Sequence, residues 1–169
     1  MNDLGCGYGA LLDYLRCRHP GLPVDYLGID LSPEMVSCAV QRLRTHTVPQ
    51  PMKAHFLQGC TAPRVADYSI ASGIFNVVPP EGRGVWTNLI ARTLSDLHSS
   101  SRCGFAVNFM GVSPGQPSEP GLYRTLPDPW LAYCKDNLGA TATVIEGYAL
   151  NEFTILARRG CLAGAAALA

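Results

Sequence analysis

The sequence predicts an α/β fold: a mostly parallel sheet with helices between its strands, closed by a C-terminal antiparallel hairpin. Three observations carry this. A glycine-spaced bend, Asp3-Leu4-Gly5-Cys6-Gly7-Tyr8-Gly9, stands at the head of a stretch with helical character. Short apolar runs then alternate with helical periodicity as far as Met110, the pattern of strand–helix–strand units. Last, Thr141 to Glu146 and Glu152 to Arg158 both alternate as strands, and the link between them is too short for a crossover, so they pair antiparallel.

Glycine at every second position lets the backbone turn sharply after a strand and lets a ligand lie directly on peptide groups. Ala10-Leu11-Leu12-Asp13-Tyr14-Leu15 reads as the opening of a helix that runs to about Arg18, with Leu11, Leu12 and Leu15 on one face. Its start presents free N–H groups and the positive end of a dipole, which suits a nucleotide or a carboxylate. Val24 to Ile29 is a short apolar strand, bounded upstream by His19-Pro20-Gly21 and ending at Asp30, twenty-one positions beyond Gly9. An acidic residue there can accept hydrogen bonds from both ribose hydroxyls of an adenosine.

Together the glycine bend and Gly28-Ile29-Asp30-Leu31-Ser32 resemble the first two motifs of class I S-adenosylmethionine-dependent methyltransferases, and the likeness runs from Asp3 to about Arg159. The resemblance implies a Rossmann-like sheet, S-adenosylmethionine as cofactor and methyl transfer as the reaction. Carried onto this chain, it implies Asp3, Gly5, Cys6, Gly7, Gly9, Asp30, Leu31 and Ser72 as the cofactor-binding set. The bend would hold the methionine end, with Asp3 reaching its ammonium directly or through water, and Asp30 would hold the ribose. Two departures stand out. In the family an apolar strand runs into the bend, whereas only Met1 and Asn2 precede Asp3 here. The first strand is therefore expected to be largely missing, as in an N-terminally truncated member. The family also often places an acidic residue at the tip of the third strand against the adenine amino group, where this chain has Gly59-Cys60-Thr61.

The remaining elements follow in order. Ser32 is a good N-cap, Pro33 suits the first helical position and Glu34 complements the dipole. Met35, Val36, Ala39, Val40 and Leu43 recur as an inward stripe, Met35 reading as core rather than as an adenine contact. Ala54 to Gly59 forms a third strand, in which His55 reads as a structural rather than a catalytic histidine. A fourth strand opens at Asp67 and ends in Ser72-Gly73-Ile74-Phe75-Asn76. In an open parallel sheet, ligands sit beyond the carboxyl ends of the strands where the order reverses. Ser72 and Asn76 are therefore read as ligand contacts, and Phe75 as either a substrate contact or core. Val85, Trp86, Leu89, Ile90, Leu94 and Leu97 mark an amphipathic helix, and Cys103 to Met110 a fifth strand. Within the proline- and glycine-rich stretch from Gly111 to Pro127, Tyr123 and Arg124 are candidates to meet a substrate. Asp128 caps a helix that Gly139 terminates.

Composition narrows the function. The chain has 169 residues, which fits one domain, assigned to 1–159, with the small apolar stretch 160–169 read as a disordered tail. Thirteen basic residues balance thirteen acidic ones, so no basic stripe points to nucleic acid. No run of apolar residues is long enough to span a membrane, and the N-terminus does not read as a secretory signal. Seven cysteines, at positions 6, 17, 38, 60, 103, 134 and 161, show no Cys-x-x-Cys spacing. Neither a disulfide framework nor a metal site is expected, and a reducing, cytoplasmic setting fits.

The leading functional reading is methyl transfer to a small-molecule acceptor, with Tyr8, Phe75, Asn76 and Tyr123 as substrate-side candidates. No residue stands out as a general base, and oligomeric state is not encoded in any motif. Two other classes compete. One is a non-catalytic, cofactor-binding relic, motivated by the short first strand and Cys60. The other is a nicotinamide-dependent oxidoreductase, which the hairpin and the shortened glycine motif disfavour.

Overall fold

The computed structural model describes residues 1–45, 51–80, 82–112, 119, 121–148 and 151–160. The expected tail lies outside these residues from 161 onward, as does much of the Gly111 to Pro127 stretch. In chain order the elements are β1 (Asn2–Leu4), α1 (Ala10–Arg18), β2 (Asp25–Asp30), α2 (Pro33–Thr45), β3 (Lys53–Gln58), β4 (Ala66–Ala71), α3 (Arg83–Ser99), β5 (Ser101–Met110), α4 (Asp128–Asp136), β6 (Ala140–Ile145) and β7 (Glu152–Arg159). The strands form one seven-stranded sheet in the order β3-β2-β1-β4-β5-β7-β6. All pairings are parallel except those of β7 with β5 and β6, which are antiparallel. Among the described residues no helix is long and apolar enough to cross a membrane.

β1 is short but central. Its three residues pair with Leu27 to Ile29 on one side and with Ser69 to Ala71 on the other. Asp3 and Leu4, expected as part of the bend, are strand residues, so the first strand, expected to be largely missing, is short but keeps the sheet continuous. A buried polar seam supports its start. The Asn2 amide donates to Ser69 Oγ and to the Ser100 carbonyl, and Arg64 Nε donates to Asn2 Oδ1. The Ser101 hydroxyl in turn donates to the Leu97 carbonyl and, as acceptor, lies 2.8 Å from Ser69 Oγ. Buried polar groups persist only when so satisfied.

The two sheet faces separate along β2. Tyr26 turns towards α1 and α2, where it clusters with Leu12 and Met52, while Leu27 and Ile29 join the larger core under α3 and α4. That larger core is built on aromatic stacking. Phe109 lies fully buried between Phe75, Trp130 and Phe153, with ring centroids 5.4 to 5.5 Å apart. Ile90, Leu94 and Leu97 supply the inward stripe of α3. On the opposite face of β4, β5, β7 and β6, Tyr68, Ala106, Asn108, Thr154 and Thr143 are half-buried or exposed.

Local chemistry sets the helix starts. Ser32 Oγ accepts from the Met35 amide and donates to Glu34, as an N-cap should. The inward stripe of α2 is narrower than its periodicity suggests. Ala39 is buried, but Met35, expected in the core, sits in the first turn of α2 and is 43 % exposed. α4 begins one residue earlier than expected, with Pro127 at the cap and Asp128 inside the first turn.

Candidate functional site

The bend between β1 and α1 is held from below by β2. The amides of Gly5 and Cys6 both donate to the Ile29 carbonyl, at 2.7 and 3.0 Å. Gly5 has a left-handed φ of 75°, and a Cβ on it would lie 2.0 Å from Ile74 Cγ2, in the loop after β4. Only glycine serves at such a position. Gly7, with φ 54°, differs: a Cβ there would meet no protein atom within 4 Å. Gly9 is the left-handed N-cap of α1, with Phe56 against it. The bend is thus tightly packed at Gly5 and Gly9 and open at Gly7.

Asp30 closes the arrangement. Its Oδ2 accepts the Gly7 amide at 2.8 Å and its Oδ1 accepts the Ser32 amide at 2.9 Å. One carboxylate therefore joins the glycine bend to the entrance of α2. Each oxygen retains a lone pair for a further donor. This clamp was not foreseen from the sequence; the spacing gave Asp30 a ligand role, but not its backbone partners.

The other expected residues fall into three groups. Cys6 is buried beneath the bend, and burial, with Asp3 and Asp30 nearby, pushes its thiol up to about 12, so it stays a neutral packing group. Asp3 is 4 % exposed and accepts the Tyr26 hydroxyl. Burial raises its carboxyl to about 6; the Tyr26 hydrogen bond works against that rise, and the nearby Asp30 charge adds to it. Leu31 and Tyr8, by contrast, stand at the surface, 70 % and 47 % exposed, with the Arg42 guanidinium 5.0 Å from the centre of the Tyr8 ring. Ser72 is exposed at the tip of β4.

Two substrate-side expectations meet the core instead. Phe75 is 2 % exposed and stacked on Phe109, so of the two roles weighed for it, burial supports packing. Tyr123 is 4 % exposed; its amide donates to the Asn76 carbonyl and Arg83 lies over its ring, which ties the stretch before α4 to the loop after β4. Asn76 takes part in that tie through its backbone. A polar relay lies beside Ser72: Asn108 Oδ1 accepts the Gly73 amide at 2.7 Å, and its Nδ2 donates to Glu152 at 2.9 Å. No sequence spacing signals a relay between β5 and β7, because it depends on their antiparallel register, Met110 facing Glu152.

The glycine bend, Asp30 and Ser72 gather at the carboxyl ends of β1, β2 and β4, where the strand order reverses between β1 and β4. Comparison with known proteins agrees with that geometry. Residues 2–96 match the family model described as "Methyltransferase domain". A protein of Mycobacterium tuberculosis named "Putative methyltransferase Rv1506c" is 41 % identical over 160 residues, which is 94 % of this chain and 92 % of that protein. In fold, the chain is similar to magnesium protoporphyrin IX methyltransferase (ChlM) from Synechocystis PCC 6803 with bound SAH, at a TM-score of 0.72 and 18 % identity, covering 94 % of this chain and 73 % of that one. It is likewise similar to the mitomycin 7-O-methyltransferase MmcR, at a TM-score of 0.70 and 16 % identity, over 94 % of this chain and 48 % of that one. The chain belongs to the methyltransferase domain family.

Proposed function

We propose that this methyltransferase uses S-adenosylmethionine and methylates a small-molecule acceptor. The observation that carries the reading is the Asp30 clamp at the switch point of the sheet. A carboxylate already oriented by two backbone amides, with lone pairs to spare, suits a ribose diol.

The residues present fit the cofactor. Clear space over Gly7 admits a ligand directly onto the backbone of the bend. Leu31 offers exposed apolar surface to a base beside Asp30. Asp3, just beneath the bend, would meet the methionine ammonium, and a cation there would favour its charged form. Cys60, exposed two residues past the end of β3, brings no carboxylate to an adenine amino group, so no adenine contact is assigned there. The bound donor supplies a methyl group already activated on a sulfonium. The work left to the protein is alignment and exclusion of water. Gly5 to Gly9 and Asp30 fix one reactant, while Ser72 and the loop after β4 border the path of the other.

A small-molecule acceptor is supported by the equal numbers of acidic and basic residues, since a nucleic-acid acceptor calls for a basic surface. It is also supported by the likeness to an enzyme whose name specifies mitomycin. The test is calorimetric titration with S-adenosylhomocysteine and, separately, with NADH. Binding of the first alone is expected. Binding of NADH alone would replace this reading with that of an oxidoreductase.

A further inference from the structure

A cavity of about 300 Å³ opens on the sheet face at the tip of β4. Its floor is apolar, from Ile70 and Ala106, and its wall is polar, from Ser72, Asn108, Glu152 and Tyr148. Ile70 is registered directly opposite Asp3 of β1, so the cavity lies one strand away from the strand that feeds the glycine bend. Ser72 lines the cavity, and Ile74, two residues further along the same loop, packs over Gly5.

The wall is organised rather than incidental. Asn108 holds the Gly73 amide with its oxygen and Glu152 with its nitrogen, so the carboxylate is fixed relative to the tip of β4. Tyr148, from the link between β6 and β7, leans over the face and shares a 3.0 Å hydrogen bond with Thr154. Among the described residues, Glu152 is the one charged side chain lining the cavity. An apolar floor under a single oriented carboxylate is complementary to a ligand with an apolar body and a cationic head.

We infer that this cavity is the acceptor subsite and that it selects acceptors carrying a protonated amine, held by Glu152 and positioned by Asn108. The inference rests on the methyltransferase reading above and names the substrate class for it. The amine is the recognition group; the atom that receives the methyl is a separate matter.

The test is an amide-resonance titration of the full chain with phenethylamine and, at equal concentration, phenylpropionate, which has a similar body and the opposite charge. Each is added with and without saturating S-adenosylhomocysteine. Phenethylamine is expected to shift Ser72, Asn108, Tyr148 and Glu152, with phenylpropionate leaving them in place. Glu152→Gln should weaken the amine roughly tenfold, as expected for loss of a charge-assisted hydrogen bond. Equal responses to both probes, shifts confined to other residues, or unchanged amine binding by Glu152→Gln would overturn the inference. Should that variant lose its native spectrum, Tyr148→Phe, an exposed change, reads the same cavity through an altered shift pattern for bound amine. S-adenosylhomocysteine alone reads Gly5 to Gly9 and Asp30, so failure of the cofactor reading appears in that arm, separately from the amine arms.

Discussion

Replacing Asp3 by Asn isolates the most perturbed carboxyl near the site. In the folded chain Asp3 is buried beside Asp30, and its carboxyl rises from 3.8 to about 6. The folded state therefore binds more protons than the unfolded state between those values, so stability falls as pH rises through that window. The interval from 3.8 to about 6 corresponds to roughly 3 kcal/mol, at ~1.4 kcal/mol per pH unit. Asn keeps the shape and an acceptor for the Tyr26 hydroxyl but does not titrate. Urea unfolding of both proteins across that range is the assay. The difference in unfolding free energy, variant minus wild type, should shift in favour of Asp3→Asn by about 2 kcal/mol between about pH 4 and about pH 7, the remainder of the full interval lying outside that range. Saturating S-adenosylhomocysteine should shrink this shift, since its ammonium favours the charged carboxylate. A difference that stays flat with pH would refute the assignment of Asp3 as a buried, proton-binding group.

Three further substitutions test the packing, and the first two separate folding from binding. Gly5→Ala drives a Cβ into Ile74 at a left-handed position and should lower stability by about 2 kcal/mol or more in denaturant titration. Gly7→Ala meets no protein atom, so it should cost only about 1 kcal/mol of stability while sharply weakening S-adenosylhomocysteine in calorimetry, because its methyl group enters the ligand space. Phe109→Ala removes the centre of the aromatic stack and should destabilise by about 3–5 kcal/mol, read as a lower urea midpoint.

Much of the fold was legible because its elements carry local signals. Ser32-Pro33-Glu34 announces α2, Gly139 ends α4 with a φ of 62°, and the alternation in 141–146 and 152–158 yields the observed hairpin. What was not legible depends on partners distant in sequence. Asn2, Ser69, Ser100 and Ser101 are individually unremarkable and acquire meaning only when β1, β4 and β5 lie side by side. Tyr123 looked like a loop residue free to meet a ligand, yet its amide bond to Asn76 and the Arg83 guanidinium over its ring bury it. Met35 has the periodicity of a core residue but, in the first turn of α2, is left 43 % exposed, and periodicity alone does not tell which turn of a helix is covered. β1 illustrates the reverse: two flanking strands secure a strand of three residues that its own length would not support.

The account as a whole depends on Asp30 joining the bend to a bound ribose. Calorimetric titration of S-adenosylhomocysteine into the wild type and into Asp30→Asn tests this most directly, because Asn presents an N–H₂ group to one of the two amides that Asp30 now accepts. The expected result is clear binding by the wild type and a loss of roughly tenfold to a hundredfold in the variant, the scale of charge-assisted hydrogen bonds. Equal affinity in the two folded proteins, or no binding by the wild type, would contradict it.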